Sequence, residues 1–166
     1  MNGIFRWLLA AMALWLVLPA AAQDRGRDVL GRLKVEVYFG SYGDIAVAGP
    51  RAREVERAVV SRFQDQQALR FANYRLMGGE TKPVFRSYEN WAQPIAGSDE
   101  ILCRFEVENR MSKDHLRMDL ELWLSRKKIL KSGIALSEGK PVLVLGPEWR
   151  GGRLIIAMEL LPKEDP

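Results

Sequence analysis

The sequence predicts a β-rich α+β domain, either an antiparallel β-sandwich or a curled meander sheet, with one amphipathic helix packed on it. Three observations carry this. Apolar and polar residues alternate over several stretches, the period of a strand with one buried face. Glycine, proline and polar clusters cut the chain into about eight such segments. Only one stretch repeats with a helical period, and so few helices cannot supply the crossovers of a parallel sheet.

Leu33, Val35, Val37 and Phe39 alternate with Lys34, Glu36 and Tyr38, which defines a first strand. It runs into the turn-rich Gly40-Ser41-Tyr42-Gly43-Asp44. Gly49-Pro50 then opens a helix, because proline suits a first turn where its missing donor is not needed. Val55, Val59 and Phe63 recur every four residues, so the helix is placed at residues 51–69 with its arginines on the outer face.

Residues 72–77 form a short strand ended by Gly78-Gly79, and residues 83–88 a weaker one. Residues 89–99, with Pro94 and Gly97, are the longest irregular loop.

The clearest hairpin joins residues 100–108 to residues 115–124. Ile101, Cys103, Phe105 and Val107 share an apolar face with Leu116, Met118, Leu120, Leu122 and Leu124. A connection at residues 110–113 sets Phe105 opposite Met118, Val107 opposite Leu116 and Cys103 opposite Leu120. Outside, Arg104 then meets Asp119 and Glu106 meets Arg117. A two-residue slip would set Glu106 against Asp119, so cross-strand charge selects the first register.

A turn at residues 125–128 leads to a strand at 129–136, and Glu138-Gly139-Lys140-Pro141 turns the chain again. A short strand at 142–145 is followed by a loop at 146–152 containing Trp149. The last strand, 153–161, is apolar enough to be central or covered on both sides.

The first residues carry a different message. Arg6, an apolar run at residues 7–18, and the small residues Ala20-Ala21-Ala22 have the layout of a secretory signal cleaved after Ala22. The run is shorter than the roughly 20 residues a spanning helix needs. The expected organisation is a signal at 1–22, a flexible segment at 23–31, one β-rich domain at 32–161 and a flexible tail at 162–166. No transmembrane span is expected after signal removal, and the protein is expected in the periplasm or the medium.

Composition is that of a globular protein, with 48% hydrophobic and 28% charged residues. The net charge of +4 is spread along a chain of mixed signs, without the basic stripe of a nucleic-acid binder. The single cysteine, Cys103, excludes an internal disulfide and reads as a buried small hydrophobe.

Reactive constellations are missing. Cys103 and His115, the only histidine, are separated in the expected register by about 17 Å of strand, and His115 reads as an exposed partner of Glu108. No nucleophile elbow, P-loop, dinucleotide fingerprint or zinc cluster is present, so no catalytic residue, metal or cofactor is expected. A loop carboxylate site built from Asp44, Asp99 and Glu100 would be the hydrolase alternative.

Binding candidates are the loop aromatics Tyr42, Trp91 and Trp149, with Arg150 or Arg126 beside them, a combination that suits a peptide, a glycan or another protein. Arg126, Lys127 and Lys128, with Lys131, are the candidates for an anionic lipid or polymer. Each also has a structural reading: core plugs for the rings, a solvated turn for the cations.

The chain resembles small exported bacterial proteins of uncharacterised function. The likeness lies in Val37-Tyr38-Phe39-Gly40-Ser41-Tyr42-Gly43-Asp44, in Phe71-Ala72-Asn73-Tyr74-Arg75-Leu76, and in the closing Gly139-Lys140-Pro141-Val142-Leu143-Val144-Leu145-Gly146. It implies no catalytic residues. The sequence therefore leads to an exported, non-enzymatic interaction module of the bacterial cell envelope, whose partner is another envelope protein or a polymer, with oligomeric state left open.

Overall fold

The computed structural model describes residues 24–112 and 114–163; the leader read at residues 1–22 lies outside them. The described residues form eight strands: β1 (Val29–Ser41), β2 (Asn73–Phe85), β3 (Asn90–Ala92), β4 (Ile101–Ser112), β5 (His115–Leu124), β6 (Lys127–Ser137), β7 (Val142–Trp149) and β8 (Gly152–Leu161). They make two four-stranded sheets, ordered β2-β1-β8-β7 and β3-β4-β5-β6, and all strand pairs are antiparallel. The fold is the expected β-rich α+β class. No helix among the described residues is long and apolar enough to cross a membrane.

The main core lies between the sheets. Leu33, Val35, Val37 and Phe39 of β1 and Leu154, Ile156, Met158 and Leu160 of β8 meet Cys103, Phe105, Met118, Leu120 and Leu122 of the opposite sheet. A second, smaller core covers the outer face of the first sheet, where Tyr38, Tyr74 and Ile155 pack with Phe63 and Leu69. Strand β8 is thus covered on both sides, which explains its near-continuous apolar sequence.

The one α-helix among the described residues, α1 (Arg57–Gln64), is shorter than expected. Residues before it are held extended, because the Arg53 N–H donates to the Leu76 carbonyl at 2.9 Å and the Leu76 N–H donates back at 2.9 Å. Gly49 does not open the helix; with φ of 93° it closes a 3-10 turn at Ile45–Ala48. Another 3-10 turn, Gln67–Leu69, replaces the expected last turn.

Strand β2 runs unbroken through Gly78-Gly79, where a turn was expected. The glycines answer a crowding requirement: a Cβ at Gly78 would lie 2.2 Å from the Pro94 carbonyl oxygen. Beside them the pairing with β1 shifts by a bulge between Val37 and Tyr38, a usual place for glycine in a strand. The expected loop at 89–99 contains the edge strand β3. The loop expected at 146–152 shrinks to the turn at 150–151, since β7 continues to Trp149. At the other end β1 begins at Val29, before the expected boundary.

The β4–β5 register corrects the sequence reading. Phe105 faces Leu120, Cys103 faces Leu122, Arg104 faces Glu121, and Glu106 does face Asp119. The chain turns more tightly than expected, with Ser112 opposite His115, and bulges after Val107 and Arg110 take up the extra residues. Each of the facing acids has its own cation: Arg104 Nη2 lies 2.8 Å from Glu106, and Lys131 of β6 lies 3.4 Å from Asp119. Arg117 instead meets Glu108 at 2.8 Å. Charges on β4 and β5 alone do not set this register, because the third strand supplies the balancing cation, Lys131.

Candidate functional site

Consecutive strands alternate in direction, and the chain changes sheet only between β2 and β3 and between β6 and β7. Four connections therefore gather at one end of the sandwich: residues 42–72, 93–100, 125–126 and 150–151. Of the expected binding residues, Tyr42, Arg126, Trp149 and Arg150 belong to this end. Trp91 and Lys128 do not; they lie on the outer face of the second sheet.

Trp149 is a plug. It is 8% exposed, its ring meets Phe39 edge-on at 5.4 Å, and its indole N–H donates to Glu100 Oε1 at 2.6 Å. The Arg150 guanidinium stacks over the same ring, 4.2 Å from its centroid. What solvent meets here is the arginine. Arg150 has a φ of 47° and Gly151 a φ of 76°, the left-handed pair that a two-residue hairpin turn requires. Arg150 Nη1 also donates to the Val47 carbonyl at 3.2 Å, tying the β7–β8 turn to the 3-10 turn beside it.

Tyr42 is the opposite case, 73% exposed. Its hydroxyl donates to the Arg70 carbonyl, and its ring lies 5.3 Å from Phe71. Phe71 rests on Gly40, where a Cβ would stand 2.4 Å from the Phe71 ring. The loop bearing Phe71 is fixed by the Tyr74 hydroxyl. That oxygen accepts from the Phe71 N–H at 2.8 Å and Gln64 Nε2 at 2.9 Å, and donates to the Leu69 carbonyl at 2.9 Å. Burial pushes the Tyr74 hydroxyl pKa up.

Together Tyr42, Phe71, Glu148, Trp149, Arg150 and Arg153 line an open cleft of about 600 Å³. Arg153 donates from Nε and Nη2 to the Gly146 carbonyl, at 3.3 and 2.9 Å, across the bulge in β7. On the far side of Trp149 and Arg150, Met77, Ile95 and Glu100 contribute to a smaller pocket of about 190 Å³. Sequence reasoning missed Phe71 and Arg153. The signal for Phe71 was Gly40, which reads as a turn residue until the ring above it is seen.

On the second sheet Trp91, 37% exposed, meets Trp123 at 5.8 Å. Lys128 lies over Trp123 at 5.5 Å and reaches Glu121 Oε1 at 3.2 Å. Arg104 is the hub of this face, bound to Glu89 and 2.8 Å from Glu106, with Glu121 at 3.8 Å. Burial works to raise the Glu121 carboxyl, but Lys128, the Trp123 indole and Arg104 outweigh it and hold it below the usual carboxylate range. Arg126 lies 3.7 Å from Asp99, so Arg126, Lys128 and Lys131 all have carboxylate partners, and Lys127 is exposed beside them.

The suspected carboxylates are engaged structurally. Asp44 caps the Ala46 N–H at 2.8 Å, Asp99 accepts from Gln93 Nε2 at 2.9 Å, and Glu100 holds Trp149. Among the described residues no group of three or more His, Cys, Asp or Glu is placed to hold a metal. Cys103 is fully buried, its thiol pushed up to about 12 by desolvation. It faces Leu122, further from His115 than the expected register had it. The exposed His115 bonds through Nδ1 to Ser112 Oγ at 2.9 Å, rather than to Glu108.

Comparison with protein-family models, with curated proteins and with solved structures finds no match for this chain. The functional reading rests on the cleft itself.

Proposed function

We propose that this chain is an exported, non-enzymatic interaction module of the bacterial cell envelope, and that it binds its partner protein at the loop end of the sandwich. One observation carries the reading: Tyr42, highly exposed yet held at its hydroxyl and along its ring, stands in the same cleft as Arg150 stacked on Trp149. Rigid tyrosine, tryptophan and arginine anchors are the side chains that dominate protein interfaces. Holding them in place before contact lowers the entropy cost of binding. The leader pattern at residues 1–22 supports the export part of the reading.

The test is a photo-crosslinking residue in place of Gly43, next to Tyr42, in the protein expressed in its own cells. A discrete crosslinked partner that disappears on Tyr42→Ala, with the melting temperature unchanged, is the expected result. Crosslinking indifferent to Tyr42 would reject this surface.

A further inference from the structure

We infer that the cleft recognises a carboxylate, carried on an acidic peptide segment of the partner that places an aromatic or aliphatic side chain beside the acid. This rests on the binding reading above and specifies its ligand. Arg27, Arg86, Arg104, Arg117 and Arg126 each face a carboxylate within 4.0 Å, whereas Arg70 and Arg75 bond to backbone carbonyls. The two arginines of the cleft are of the second kind, Arg150 bonding to the Val47 carbonyl and Arg153 to the Gly146 carbonyl, and what distinguishes them is that they share one concave lining with the rings of Tyr42 and Phe71. Neither has an ion pair among the described residues.

A carbonyl satisfies a donor but leaves the charge uncancelled, and a guanidinium has five N–H groups in a fork suited to carboxylate oxygens. Both guanidinia retain donors beyond those that reach backbone oxygens. Glu148 is the one acidic residue lining the cleft, against Arg150 and Arg153, so the lining keeps a positive excess. The stacking of Arg150 on Trp149 limits its freedom and so reduces the ordering cost of engaging an anion. Arg150 also sits at φ 47°, a conformation that disfavours a non-glycine residue.

The apolar half of the recognition comes from Tyr42 and Phe71, whose rings lie 5.3 Å apart beside the arginines. A cleft of about 600 Å³ takes a few peptide side chains. Rings next to guanidinia favour a ligand with apolar and anionic groups side by side. A bare inorganic anion would use only half of the site.

The experiment is fluorescence anisotropy of the purified full chain with two labelled dodecapeptides, one alternating glutamate with leucine and phenylalanine, the other with glutamine in place of glutamate. The glutamate peptide is expected to bind at least about tenfold more tightly at low salt. Arg150→Gln and Arg153→Gln are each expected to weaken it about tenfold, while Arg117→Gln, at an arginine paired with Glu108 on the second sheet and away from the loop end, changes it little. Titration of the unaltered protein, followed at the arginine Nε–H NMR signals, should move those of Arg150 and Arg153, and this readout needs no variant to fold. Equal affinity for the two peptides, unmoved arginine signals, or displacement by millimolar inorganic phosphate as effective as by unlabelled peptide would each overturn the proposal. Crosslinking that still depends on Tyr42 while the peptides bind equally would retain the interaction surface and reject the carboxylate. Loss of both would reject the surface as well.

Discussion

Replacing Tyr74 by phenylalanine removes one oxygen and tests what holds the cleft together. The hydroxyl donates to the Leu69 carbonyl and accepts from the Phe71 N–H and Gln64 Nε2, all within 2.9 Å. The Leu69 bond is buried and the other two are partly buried, so water can replace some of what is lost. At about 1 kcal/mol per neutral bond, and more where a buried group is left unpaired, the variant should lose about 2–3 kcal/mol. For a domain of this size that lowers Tm by about 5–10 °C. The Tyr38 hydroxyl, which donates to partly buried Glu36 at 3.0 Å, provides the comparison, and because Lys34 at 2.9 Å keeps Glu36 paired, Tyr38→Phe should cost only about 1 kcal/mol. Thermal and urea unfolding measure both, and amide exchange at Phe71 should accelerate in Tyr74→Phe alone. If the two variants melt within about 2 °C of each other, the hydroxyl is not the brace described above.

Gly78→Ala should destabilise by about 1–3 kcal/mol, because its new methyl meets the Pro94 carbonyl and the loop at 93–99 must shift; urea unfolding measures it, and wild-type stability would refute the crowding argument. The Glu121 carboxyl has its pKa lowered by folding, so its contribution is present above the unfolded value of about 4.3 and is lost as pH falls through the lower folded value. Glu121→Gln should therefore flatten the acid limb of a stability-against-pH curve, and an unchanged limb would remove Glu121 from that account. Cys103 should resist a thiol reagent at pH 8 in the folded protein and react once in urea, since burial raises its thiol pKa to about 12; rapid native labelling, followed by absorbance, would contradict its place in the core.

Where the sequence was legible, a single face decided the pattern. The alternation of β1 and β5 is read directly because every second side chain enters the core between the sheets. The double cover of β8 is equally visible, since both of its faces are apolar. Long-range pairing was not legible. The valine spacing that predicted a helix from residue 51 continues in the sequence, but the backbone pairing of Arg53 with Leu76 holds that segment extended. The β4–β5 register depended on Lys131, a residue of a third strand. In the cleft, Tyr42, Trp149 and Arg150 were each identifiable by residue type, and the turn order brought them to one end. Trp91 went to a sheet face because the loop assigned to it contains β3. Trp149 proved to be the support for Arg150 rather than an open ring.

The pairing of β1 with β8 has a consequence for the life of the chain before it is folded. Strands β1 and β8 are the central neighbours of their sheet, from Arg32 opposite Leu161 to Gly40 opposite Arg153, so that sheet cannot acquire its middle until residues 153–161 have been made. Contacts so distant along the chain close late and slowly. Strand β1 must therefore wait through the synthesis of the whole second sheet, bare along the edge that β8 later covers.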